Sequence, residues 1–118
     1  MNDWRLVSER FPYVALHLTL GSYSRELDAL IDTGFDGDII VPIDFPTRGL
    51  QPFHFLDAFL ADRSQISIPT FAGVARIGSV ELAPVLVLTL GDVAIVGTNV
   101  ISRFTVTLDH GRRVIVEP

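Results

Sequence analysis

Ala29-Leu30-Ile31-Asp32-Thr33-Gly34-Phe35 is the stretch on which the reading of this chain turns. An apolar run ends in a single Asp, and Thr and Gly follow at once. The run has the make-up of a strand that would fix the carboxylate in a dry place. Gly34 allows a sharp turn with no Cβ clash. The Thr33 hydroxyl can hydrogen-bond within the turn or across to a partner. The triplet alone arises easily by chance, and in a β protein it most often marks a plain turn. Its surroundings decide what it means.

Upstream, Val14, Leu16, Leu18 and Leu20 alternate with Ala15, His17 and Thr19, the period of a half-buried strand. A turn at Gly21-Ser22-Tyr23-Ser24 sends the chain back through Glu26 to Ile31, so Asp32 ends the second strand of a hairpin. Downstream, Ile39-Ile40-Val41 is a short strand closed by Pro42. Pro46, Gly49 and Pro52 make 43–53 a loop with room for one helical turn. Phe55 to Ala61 and Gln65 to Val74 flank the turn residues Asp62-Arg63-Ser64, at hairpin spacing. A turn at Gly78-Ser79 precedes a strand that runs towards Leu90. Gly91-Asp92 turns into Val93-Ala94-Ile95-Val96, and Asn99 to Arg103 can form one short helix. Phe104 to Leu108 and Arg113 to Glu117 form a last hairpin around Asp109-His110-Gly111. Many short strands with frequent turns predict an all-β chain closed into a small barrel.

The bulk properties narrow the function. A length of 118 residues suits a single domain spanning 1–118. Hydrophobic residues make up 48% and mean hydropathy is +0.41, which is apolar for so small a chain and points to burial between subunits. The longest apolar region, Val80 to Val96, is broken by Glu81, Pro84, Gly91 and Asp92, whereas a membrane span needs ~20 apolar residues. Neither a membrane segment nor a signal peptide is expected, since Met1-Asn2-Asp3-Trp4-Arg5 has no basic region leading into an apolar core. The net charge is −5 and the nine basic residues are scattered, which disfavours a nucleic-acid partner. Cys is absent, so disulfides, thiolate metal sites and a thiol nucleophile are excluded, and a cytoplasmic location is expected.

Taken in order, these segments resemble the retropepsin-like (retroviral-type) aspartic peptidases, and more closely the small prokaryotic single-domain members that carry Asp-Thr-Gly-Phe. Four elements match: the N-terminal hairpin running into Asp32-Thr33-Gly34-Phe35; Gly37-Asp38-Ile39-Ile40-Val41-Pro42 leaving the loop; the hairpin around Ala61-Asp62-Arg63-Ser64-Gln65 in the place of the flap; and Ala94-Ile95-Val96-Gly97-Thr98-Asn99-Val100-Ile101 as the crossing strand and short helix. The resemblance covers about residues 11 to 117. It implies a retropepsin-type barrel with one short C-terminal helix, active as a homodimer. It also implies an aspartic endopeptidase acting on peptide or protein substrates with no cofactor and no metal. Asp32, Thr33 and Gly34 would be the catalytic triplet, and one triplet per chain requires a second chain for the second carboxylate. Asp36 would bind substrate main chain, and the flap tip Asp62, Arg63 and Ser64 would lie over it. Two departures stand out. Retroviral enzymes have an Arg where this chain has Thr98, and that Arg anchors the acid matched here by Asp36. Their flap tips are rich in Gly. The family's terminal dimer strands have approximate counterparts in Trp4 to Val7 and Val114 to Glu117.

Other readings of the same residues are weaker. The even spacing of Asp32, Asp36 and Asp38 could suit a metal, but Gly34 and Gly37 break any regular strand and His17, His54 and His110 are scattered. The Ser residues lack a His partner or a nucleophile-elbow pattern. Trp4 and the Phe residues are expected in the core or an interface. A rival reading keeps the fold as an inactive dimerisation or peptide-binding module. Another is an unrelated small barrel that binds a ligand.

Overall fold

The computed structural model describes residues 5–59 and 61–118; Trp4, expected in the core or an interface, lies outside them. In chain order the strands are β1 (Leu6–Ser8), β2 (Tyr13–Leu20), β3 (Tyr23–Ile31), β4 (Ile39–Val41), β5 (His54–Phe59), β6 (Gln65–Ile77), β7 (Val80–Thr89) and β8 (Ile95–Val96). A short helix α1 (Thr98–Ile101) follows, then β9 (Thr105–Asp109) and β10 (Arg113–Glu117). Strands β2-β3-β8-β4-β7-β6 pair in that order, and β6 pairs back onto β2, so six strands close a barrel. β5 lies outside the ring on the free edge of β6. The expected small closed barrel with one short helix is therefore present.

The period-two pattern of β2 explains how the barrel fills. Val14, Leu16, Leu18 and Leu20 are all buried inside it, and each such side chain stabilises by ~1.5–3 kcal/mol. Closure needs β6 to turn against β2, where Thr19 lies opposite Val74. At Gly73 a Cβ would come within 2.8 Å of the Thr19 carbonyl oxygen and collide with the Leu20 side chain. The pairing of β6 with β7 is irregular at this point, between Gly73 and Ala75. Hence β6 continues past Val74, where a strand end is expected from the sequence, and runs on to Ile77 as a barrel strand.

Its first half does something else. Gln65 to Thr70 pairs with β5 as a hairpin arm, from His54 opposite Thr70 to Phe59 opposite Gln65. Five of the six β5 residues are exposed. Alternation puts Phe53, Phe55 and Phe59 on one face, where they are 67%, 60% and 75% exposed.

A separate three-stranded sheet holds the chain ends in the order β1-β10-β9. Val114 and Val116 of β10 pack into the main core. The terminal segments compared above with the family's dimer strands pair with each other within one chain, Leu6 opposite Val116. Two further elements are shorter than expected. Of Val93 to Val96 only Ile95–Val96 is strand, and the helix covers Thr98–Ile101. Among the described residues no helix is long and apolar enough to cross a membrane.

Candidate active site

β3 delivers Asp32 to the end of the barrel, and β8 holds β3 in place. The two strands run parallel, with Leu30 beside Ile95 and Ile31 beside Val96. The Leu30 N–H donates to the Ala94 carbonyl at 2.8 Å and the Asp32 N–H to the Val96 carbonyl at 3.1 Å. The chain then turns, and the Phe35 N–H donates back to the Asp32 carbonyl at 3.3 Å. Within that turn the Gly34 N–H donates to Asp32 Oδ1 at 2.8 Å. This bond fixes the orientation of the carboxylate. Asp32 makes no other side-chain hydrogen bond among the described residues. Asp32 is half-buried, while Thr33 and Gly34 are exposed. The carboxylate is thus oriented by the backbone at the barrel's surface.

The loop from Phe35 to Asp38 is strapped to the start of α1. Gly97 N–H donates to the Asp38 carbonyl at 2.9 Å, Thr98 N–H to that of Phe35 at 2.8 Å, and Asn99 N–H to that of Gly37 at 3.2 Å. This close approach is why residue 97 is glycine. A Cβ there would lie 2.7 Å from the Phe35 carbonyl oxygen and collide with that of Gly37. Its φ of −98° is ordinary, so contact and not backbone conformation sets the requirement.

Beside the loop opens a cavity of about 210 Å³. Phe35, Leu56, Leu86 and Leu88 give it apolar walls, and Asp36 and Thr70 also line it. Leu56 and Thr70 come from the β5–β6 hairpin, so the hairpin forms one side of the cavity. The Thr70 hydroxyl is buried with no hydrogen-bond partner in the described structure.

The candidate residues fall into two places. Asp32, Thr33, Gly34 and Asp36 share the loop. The exposed Asp36 side chain lines the cavity and has no hydrogen bond or ion pair among the described residues. Asp62, Arg63 and Ser64 sit at the hairpin tip and do not line the cavity. Arg63 adopts a positive φ of 70°. The Asp62 carboxylate accepts from the Ser64 hydroxyl at 2.6 Å and the Ser64 N–H at 2.9 Å. The hydroxyl first, and the N–H second, hold the Asp62 carboxyl below its ordinary pKa. Its charge is turned inward on the turn. Asp38, weighed above as a metal ligand, is engaged elsewhere: Leu86 N–H donates to its Oδ2 at 2.8 Å and Asn99 Nδ2 to its Oδ1 at 3.0 Å. No local pattern signals this role, since its partners lie 48 and 61 residues away in the chain.

No protein-family profile and no curated protein sequence matches the chain. Among solved structures it is similar to a retropepsin-like aspartic protease from Rickettsia conorii. The TM-score is 0.62 at 16% identity, over 98% of this chain and 90% of that one. The likeness is one of fold: the chain has a retropepsin-like barrel.

Proposed function

We propose that the chain is an aspartic endopeptidase whose site is completed by a second copy of itself. The observation that carries this reading is the Asp32 carboxylate, oriented by the Gly34 N–H on a loop braced by β8, whose later residues Phe35 and Asp36 line a cavity. Each chain supplies one such carboxylate. Two of them facing each other a few ångströms apart cannot both ionise cheaply, so the pair shares a proton, as in known aspartic proteases. The ionised member takes a proton from a bound water. The protonated member donates its proton to the scissile carbonyl oxygen, and the resulting hydroxide adds to the carbonyl carbon. Collapse of that adduct breaks the C–N bond, with a proton returned to the leaving amine. Asp36, which lines the cavity, is the residue that would bind substrate main chain. The β5–β6 hairpin, as a flap, excludes water and adds an extended peptide to its edge.

Asp32→Asn tests the role of Asp32. The amide is nearly isosteric and can still accept from Gly34, but it cannot serve as base. Peptide cleavage by the pure variant should vanish while its circular dichroism and Tm stay near wild type. Cleavage at the wild-type rate would remove Asp32 from the chemistry.

A second reading keeps the fold and the dimer without the reaction. It rests on the free edge of β5 and its exposed Phe55 and Phe59, which can bind a peptide as an added strand. Peptide binding without cleavage by the wild-type chain would favour it.

A further inference from the structure

We infer that Asp38 is a positioning residue for Asp32, acting through the loop that joins them; this rests on the peptidase reading above. Its carboxylate joins three segments. Oδ2 accepts from the Leu86 N–H of β7 at 2.8 Å, and Oδ1 accepts from Asn99 Nδ2 of α1 at 3.0 Å. Asp38 itself ends the loop that begins at Asp32, and its own carbonyl accepts from Gly97 N–H. Both oxygens are thereby used, each by a donor from a different element.

The consequence is geometric. The loop between β3 and β4 is exposed at Thr33, Gly34 and Asp36 and has little packing there to hold it. Backbone hydrogen bonds from Gly97, Thr98 and Asn99 fix its far end to α1. The Asp38 carboxylate ties that same end to β7 as well, because it accepts from both Leu86 and Asn99. Ionised acceptors make stronger hydrogen bonds than neutral ones. Thr98, where the resemblance would have an Arg, makes no side-chain tie to the loop among the described residues. The tie is made instead by its neighbour, Asn99.

The two partners can be exchanged. Asn99→Asp places two carboxylates in contact and turns the tie into a repulsion. Adding Asp38→Asn restores it: the new amide oxygen accepts from Leu86 N–H and its nitrogen donates to the new carboxylate. Asn99→Asp should lower kcat by about ten- to a hundredfold with KM within about threefold, because the bound substrate would meet a misplaced carboxylate. Amide exchange at Asp32, Gly34 and Thr98 should accelerate. The double variant should return both readouts to within about threefold of wild type, which a loss of packing alone would not do. If Asn99→Asp does not fold, Asn99→Leu takes its place: kcat and exchange should change in the same direction and Asp38→Asn should give no rescue. Wild-type kcat and exchange in a folded Asn99 variant would overturn the proposal, as would a double variant as impaired as Asn99→Asp. A wild-type chain that cleaves no peptide would refute the peptidase reading, and the exchange measurements alone would then decide whether Asp38 orders the Asp32 loop.

Discussion

An unpartnered hydroxyl costs free energy when it is buried, and Thr70 carries one at the wall of the cavity. Its Oγ1 contributes nothing to stability that a methyl group would not. Thr70→Val should therefore be neutral or should stabilise by about 1 kcal/mol in urea denaturation. A loss of that size would mean that the hydroxyl has a partner in solution. Asp109 is the opposite case. Its carboxylate meets His110 Nδ1 and Arg113 Nε, both at 2.6 Å. The His110 contact first, then Arg113, hold its pKa below the ordinary 3.8. A depressed carboxylate contributes stability that is present above 3.8 and is lost as pH falls through the folded-state value. Asp109→Asn should thus lower Tm at neutral pH. The gap from wild type should narrow as the pH is taken below 3.8. A gap independent of pH would assign the effect to the turn and not to the charge.

At the scale of elements, the β5–β6 hairpin divides into two regimes along one strand. From Ala75 to Ile77 the strand alternates strictly as a barrel wall, while from Gln65 to Ser67 it is half-open to solvent. Gly73 marks the change, since only there can β6 cross so close to Thr19 and Leu20. An arm of this kind, exposed on β5 and polar at its tip, can close over an extended peptide. Amide exchange across residues 61–65 should slow when a peptide-like aspartic-protease inhibitor binds. Protection confined to other segments would show that the hairpin is not a flap. The same elements indicate what could be read from sequence. β2 was legible because one face meets the barrel interior and the other does not, which is what period two reports. The extent of β6 was not, because its crossing of β2 at Gly73 and the pairing of Ala75 to Ile77 with β7 depend on strands distant in the chain. Val93 to Val96 looks like a strand by composition. Only Ile95 and Val96 pair as strand, between β3 and β4, while Ala94 offers just its carbonyl to Leu30. The loop residues Asp32 to Gly34 were legible as a candidate site from their order and lead-in. The Asp38 bridge was not, since it depends on three segments that meet only in the fold.

For the molecule as a whole, the radius of gyration is 14.6 Å, against ~13.5 Å for a compact chain of this length. The β5 arm, almost wholly exposed, is consistent with that excess. An arm lined by Phe53, Phe55 and Phe59 and a loop that presents one carboxylate at the surface both fit a chain that acts with a second copy. The central proposal is that one site uses two Asp32 carboxylates, and mixed dimers test it directly. Wild-type and Asp32→Asn chains are refolded together in equal amounts, and peptide cleavage is compared with the same total amount of wild-type chain. Random pairing leaves two intact carboxylates in about one quarter of the dimers, so the predicted rate is about one quarter. A rate of about one half, falling linearly with the share of wild-type chain, would show that each chain works alone and would contradict the shared dyad.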